Sequence, residues 1–104
     1  MMYFNTYQNI ARKFRLKESS GLAYAALGLA GEAGEVANKI KKVLRKDPGI
    51  TDDAILDELG DVLWYVAMIA DDLGLGLYDV AERNIQKLNN RAAEGKLKGS
   101  GDNR

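Results

Sequence analysis

Apolar residues recur at helical spacing along most of this chain, and nowhere do they alternate over a length that suits a strand. Phe4, Tyr7, Ile10, Ala11 and Phe14 share one helical face, which predicts a first helix over about Tyr3 to Lys17. Ser19-Ser20-Gly21 breaks that pattern and leaves Ser20 placed to cap the next element. A second helix is predicted from Leu22 to about Arg45, ending ahead of Pro48-Gly49, since the residue before a proline disfavours helical backbone. Thr51 then opens a third helix, with Asp52 and Asp53 set at the positive end of its dipole. That helix runs to about Leu73, where Gly74 and Gly76 interrupt it, and a fourth spans Tyr78 to Ala93. The expectation is an all-α, four-helix, bundle-forming domain over residues 1–94, followed by a polar, glycine-rich tail at 95–104.

Within this pattern two short acidic motifs stand out: Glu32-Ala-Gly-Glu35 on the second helix and Glu58-Leu-Gly-Asp61 on the third. Residues three apart on a helix are surface neighbours, so each motif is a pair of carboxylates pointing the same way. At ~100° per residue, Ala25, Leu29, Val36, Ile40 and Val43 fall in the quarter turn beside Glu32. Ile55, Leu59, Val62, Val66, Ile69 and Leu73 do the same beside Glu58. Both pairs therefore border the apolar face, where solvating acids are not expected. Glu58 and Asp61 have Val62 and Tyr65 four positions later, so no ion pair along the helix explains them, whereas Glu35 has Lys39 at that spacing. Four carboxylates brought together are costly unless a cation lies among them.

Composition narrows which cation. The chain has 104 residues, no cysteine and no histidine. That removes zinc-thiolate and histidine-zinc sites, Ser-His-Asp triads, and the Glu-x-x-His di-iron bundles. What survives is a hard-cation site of oxygen ligands made by Glu32, Glu35, Glu58 and Asp61. Mg²⁺ is the expected ion and Mn²⁺ its natural substitute. Net charge is zero but segregated: ten acids and no Lys or Arg lie between Asp47 and Glu82. Short basic clusters (Arg12, Lys13, Arg15; Lys41, Lys42, Arg45, Lys46) form no broad basic surface, and neither nucleic acid nor membrane is expected as a partner. No secretion signal or spanning segment is visible, so a cytoplasmic location is expected.

The apolar arc on the third helix extends from Leu59 through Ala70, Leu63 and Leu56 to Ala67, on the order of half the circumference. One hairpin cannot bury so wide a stripe, and a homo-oligomer, dimer or tetramer, is the expected remedy. Gly28, Gly31 and Gly34 recur every third residue through the second helix, and Gly60 sits inside the second acidic motif. Close packing against a neighbouring helix and room for a metal-bound ligand both account for them. A non-catalytic helical module that dimerises or binds a partner is the competing reading of the whole chain; it requires solvated acids that hold no metal.

The paired motif Glu32-x-x-Glu35 and Glu58-x-x-Asp61, the latter running into Val62-Leu63-Trp64-Tyr65, resembles the MazG-type nucleoside triphosphate pyrophosphohydrolases of the all-α NTP pyrophosphatase superfamily. The resemblance covers about residues 22–91. It implies Mg²⁺-dependent hydrolysis of an NTP or dNTP to the monophosphate and pyrophosphate, with nucleotide-pool house-cleaning as the setting. It also implies that the segment Asn84-Ile-Gln-Lys87-Leu-Asn-Asn-Arg91 supplies substrate contacts, Lys87 and Arg91 meeting phosphates from one side of a helix. Tyr65, one turn beyond Asp61, is placed to reach sugar or phosphate, while Trp64 lies off that face and reads as an interface residue. Either Glu35 or Glu58 would take the proton from the attacking water; the sequence leaves that choice open.

Overall fold

The computed structural model describes residues 1–95 and is helical throughout, with no strand among them. Its helices are α1 (Phe4–Arg12), α2 (Leu22–Leu44), α3 (Asp52–Asp72) and α4 (Leu77–Ala93), with a 3₁₀ turn at Lys17–Ser19 between α1 and α2. Of the expected tail only Gly95 is described; 96–104 lie outside the described residues. α3 is the centre of the arrangement. α2 packs along it, while α1 and α4 pack on it and on each other.

The start of α3 follows the expected chemistry, since the Thr51 hydroxyl accepts the Ala54 N–H at 3.3 Å. The start of α2 does not. The Ser20 hydroxyl donates to the Lys17 carbonyl at 2.8 Å, and α2 begins after Gly21 (φ 111°) with no side-chain cap. α1 is also shorter than its apolar spacing suggested. The chain leaves the helix after Lys13, and the Arg15 guanidinium is drawn to the end of α3. There it forks onto Asp72 at 2.8 and 2.9 Å and donates to the Gly21 carbonyl at 3.1 Å. Phe14 consequently points outward and is 72% exposed.

Asp71 and Asp72 end α3 at its negative pole, where acids are unfavourable. Two arginines from the basic first segment compensate them: Arg15 as above, and Arg12, whose guanidinium donates to Asp71 at 2.6 to 3.0 Å. The pairing with Arg12 holds the Asp71 carboxyl below the usual carboxylate range. The charge segregation of the sequence is thus resolved by folding, basic α1 against the acidic end of α3. Arg45 likewise pairs with Asp47 at 2.6 Å.

Gln8 is the buried polar tie of the bundle. Its amide nitrogen donates to the carbonyls of Ala67 at 3.2 Å and Leu75 at 3.0 Å, and its oxygen accepts the Leu77 N–H at 2.9 Å. One side chain of α1 therefore satisfies backbone groups of α3, of the α3–α4 connection and of the first turn of α4, none of which needs to be left unpaired. Asn5 adds a second tie, accepting the Tyr78 N–H at 3.0 Å; a Cβ on Gly76 would collide with that asparagine at 2.7 Å. The apolar core around these ties is small: Ala11, Ala25, Ala67, Met68 and Leu77, flanked by Tyr7, Trp64, Tyr65, Val66 and Ile69. Trp64 packs against the core and donates from Nε1 to the Ala11 carbonyl at 3.1 Å. Large apolar side chains remain outside the core, among them Leu27 (76% exposed), Leu44 (78%) and Leu56 (64%).

Gly28 of α2 touches Tyr65 of α3, and Lys39 further along α2 reaches Glu58 earlier in α3, so the two helices run antiparallel. Gly28 permits this approach: a Cβ there would collide with the edge of the Tyr65 ring. Tyr65 has little room to give way, because its ring stands edge-on to Trp64 with centroids 5.0 Å apart. Gly31, Gly34 and Gly60 meet nothing within 4 Å and carry no such constraint within the chain. Alanine is the better helix former by about 1 kcal/mol. Gly31→Ala is therefore expected to raise the Tm, whereas Gly28→Ala is expected to lower stability by about 1–3 kcal/mol through overpacking, both read by circular dichroism melting.

Candidate metal centre

The Gly28–Tyr65 contact sets the register of the carboxylates. Glu32 lies one turn after Gly28 on α2, and Asp61 one turn before Tyr65 on α3, so antiparallel packing carries the two acids to the same level. Glu58 lies one turn before Asp61 on the same face of α3. The result is a trio: one oxygen from each of Glu32, Glu58 and Asp61 lies within 4.8 Å of the others. Glu32 and Glu58 are half-buried and Asp61 is exposed.

The trio is electrostatically uneven. Burial pushes the Glu32 carboxyl above the usual range, helped by its hydrogen bond with Glu58 and by the charges of Asp61, Glu58 and Glu35. Glu58 moves the other way, because Lys39 donates to its Oε1 at 3.0 Å and Glu32 shares a hydrogen bond with it. Of these two acids, Glu32 is shifted toward its protonated form and Glu58 toward its ionised form. Glu35, expected as a fourth ligand, is exposed and stays outside the 4.8 Å group. It is still close enough for its charge to act on Glu32 and Lys39.

Three carboxylate oxygens from two helices, within 4.8 Å of one another, form a donor set of the kind a hard divalent cation takes, which binds carboxylate oxygens at about 2.0–2.6 Å. The donor chemistry fits Mg²⁺ or Mn²⁺, and soft-ligand metals are disfavoured because the chain has no cysteine thiolate or imidazole to offer.

The expected substrate residues divide into two places. Tyr65 stands beside the trio; burial first, then the charges of Tyr24, Glu32 and Asp61, raise its hydroxyl pKa. Asn84 and Lys87 line a shallow hollow along α4 with Leu75 and Asp79, and Lys87 and Arg91 line the adjoining one. No member of the acid trio is among the residues that line either hollow. Two residues near the trio escaped the sequence reading. Tyr7 of α1 has its hydroxyl pKa raised by burial and by the charge of Asp61, which places it on the Asp61 side of the site; its only signal was membership of an apolar stripe. Lys39 was visible only as a helical neighbour of Glu35, yet its hydrogen bond goes across to Glu58.

Because the Glu32 pKa is raised by folding, the ionised form of Glu32 opposes folding: this residue's contribution is intact below the ordinary glutamate pKa and lost as pH rises through the elevated folded value. In EDTA at neutral pH, Glu32→Gln is expected to melt a few degrees above the wild type. That advantage should vanish below the ordinary glutamate range, where both side chains are neutral. Equal Tm values at neutral pH would contradict the crowding of these acids.

No solved structure is a significant match to the chain. A curated relative, Gene 37 protein of Mycobacterium phage L5, is 53% identical over 88 residues, covering 81% of this chain and 77% of that protein; its name specifies no activity. The sequence matches the description "MazG nucleotide pyrophosphohydrolase domain" over residues 22–95, which spans α2, α3 and α4 and contains every acid of the candidate centre. The chain belongs to the MazG nucleotide pyrophosphohydrolase family.

Proposed function

We propose that this protein is a Mg²⁺-dependent pyrophosphohydrolase that converts a nucleoside or deoxynucleoside triphosphate to the monophosphate and pyrophosphate. Family membership supports nucleoside triphosphate hydrolysis in general. The observation that carries the finer reading is the convergence of Glu32, Glu58 and Asp61 from two helices onto one point. Those three residues would hold the cation, which when bound supplies charge stabilisation to the phosphate oxygens.

In the reaction, a water oxygen forms a bond to the α-phosphorus, the bond from that phosphorus to the bridging oxygen breaks, and pyrophosphate departs. No covalent nucleophile is needed, because such transfers depend on positioning and charge compensation. Glu58 is held ionised by Lys39 and is better suited as a ligand than as a base. We assign the general base to Glu35, which stands outside the trio but within its electrostatic reach. Tyr65 is assigned to the substrate side of the trio, where it also keeps α2 and α3 in register.

Lys87, Arg91 and Asn84 are assigned to the phosphate tail. Since they line hollows apart from the acids, this assignment needs α4 of a second copy, and the uncovered apolar side chains of α2 and α3 supply the reason for one to associate. The non-catalytic alternative has solvated acids, and the half-burial of Glu32 and Glu58 speaks against it. No helix among the described residues is long and apolar enough to cross a membrane.

Incubation with a panel of NTPs and dNTPs plus Mg²⁺ is expected to release pyrophosphate from at least one nucleotide. EDTA should stop it, and Glu58→Gln, Asp61→Asn and Glu35→Gln should each lower kcat/KM by about 10²-fold or more, equivalent to several kcal/mol of lost charge stabilisation or proton transfer. Orthophosphate as the sole product, or variants equal to wild type, would rule the reading out. If α4 acts across copies, mixing inactive Lys87→Ala and Asp61→Asn proteins should restore part of the activity that neither shows alone.

A further inference from the structure

Lys39 lies half-buried on α2 amid carboxylates from two helices, and its best contact is not the one its own helix offers. Nζ donates to Glu58 Oε1 at 3.0 Å, with side-chain exposures of only 23% for the lysine and 17% for the glutamate. Glu35, at the i−4 position of the same helix, is its second acidic neighbour, and Asp57 its third. Glu58 is at the same time one of the three acids whose oxygens converge within 4.8 Å. An ammonium and a divalent cation therefore draw on the same carboxylate.

We propose that Lys39 is the resident counter-ion of the acid trio: it positions Glu58, competes with the divalent cation for it, and so sets the metal concentration at which the centre loads. This rests on the metal reading above. Physically, an ammonium within a few ångströms of a divalent ion repels it, yet without the ammonium the acids face one another uncompensated. The flexible four-carbon stem of lysine resolves the conflict. When the cation takes Glu58, Nζ can swing toward Asp57, the other acid of α3 within its electrostatic reach, and leave Glu35 available as the base. A guanidinium at this position keeps the charge, whereas an apolar side chain of similar length removes it.

The test is Mn²⁺ binding by electron paramagnetic resonance or calorimetry on the full chain without nucleotide, for wild type, Lys39→Met, Lys39→Gln and Lys39→Arg. Melting of each protein in EDTA accompanies it. Both neutral variants are expected to bind Mn²⁺ about fivefold to tenfold more tightly than wild type, and to melt at lower temperature in EDTA. Lys39→Arg should stay close to wild type in both readouts. A purely structural lysine would lower the EDTA melting temperature but leave metal affinity unchanged or weaker. That result in folded Lys39→Met and Lys39→Gln would overturn the competition while leaving the metal centre itself intact. If wild type and every variant fail to bind Mn²⁺ or Mg²⁺, this inference and the metal reading fall together.

Discussion

The close contact between α2 and α3 at Gly28 and Tyr65 is the constraint on which the rest depends. α2 leans mainly on α3, and it contributes a single buried side chain, Ala25, to the core. Where that contact sits along the two helices decides which carboxylates face each other. A slide of one turn would carry Glu32 away from Asp61 and leave two unrelated acidic surfaces. The aromatic ring of Tyr65, held edge-on by Trp64 and admitted by a missing Cβ, acts as the register pin. Packing and site geometry are here the same interaction seen from two sides.

Convergence of like charge is tolerated because the opposite charge is distributed around it. At the far end of α3, Arg12 and Arg15 absorb Asp71 and Asp72. In the middle, Lys39 absorbs Glu58. The trio is left with one strongly ionised member and one that tends to hold a proton, an asymmetry produced by burial and by a single lysine. The centre is thus neither a solvated acidic face nor an uncompensated cluster.

The thin, alanine-rich core has a matching consequence. Much of the apolar surface predicted from the sequence remains outside it, on α2 and α3. The cations of α4, likewise, line hollows of their own along that helix. Both observations bear on the proposed self-association, which would cover the apolar faces and bring those charges to the acids.

Four helices, and the limits of α2, α3 and α4, were legible from periodicity, proline, glycine and the Thr51 cap, because those signals act within a few residues. So was the pairing of acids three apart, which is a property of helix geometry alone. The early end of α1 was not legible, since Arg15 is drawn to Asp72 far along the chain, and neither was the turn of the Ser20 hydroxyl back onto Lys17. The sequence by itself determined that acids would border the apolar faces of two helices. Only the tertiary structure decided that Glu32, Glu58 and Asp61 would meet while Glu35 stood aside, and that Lys39 would turn from its helical neighbour to a partner on α3. Those outcomes depend on the axial register of two packed helices, which one glycine and one tyrosine set across the interface and no local pattern encodes.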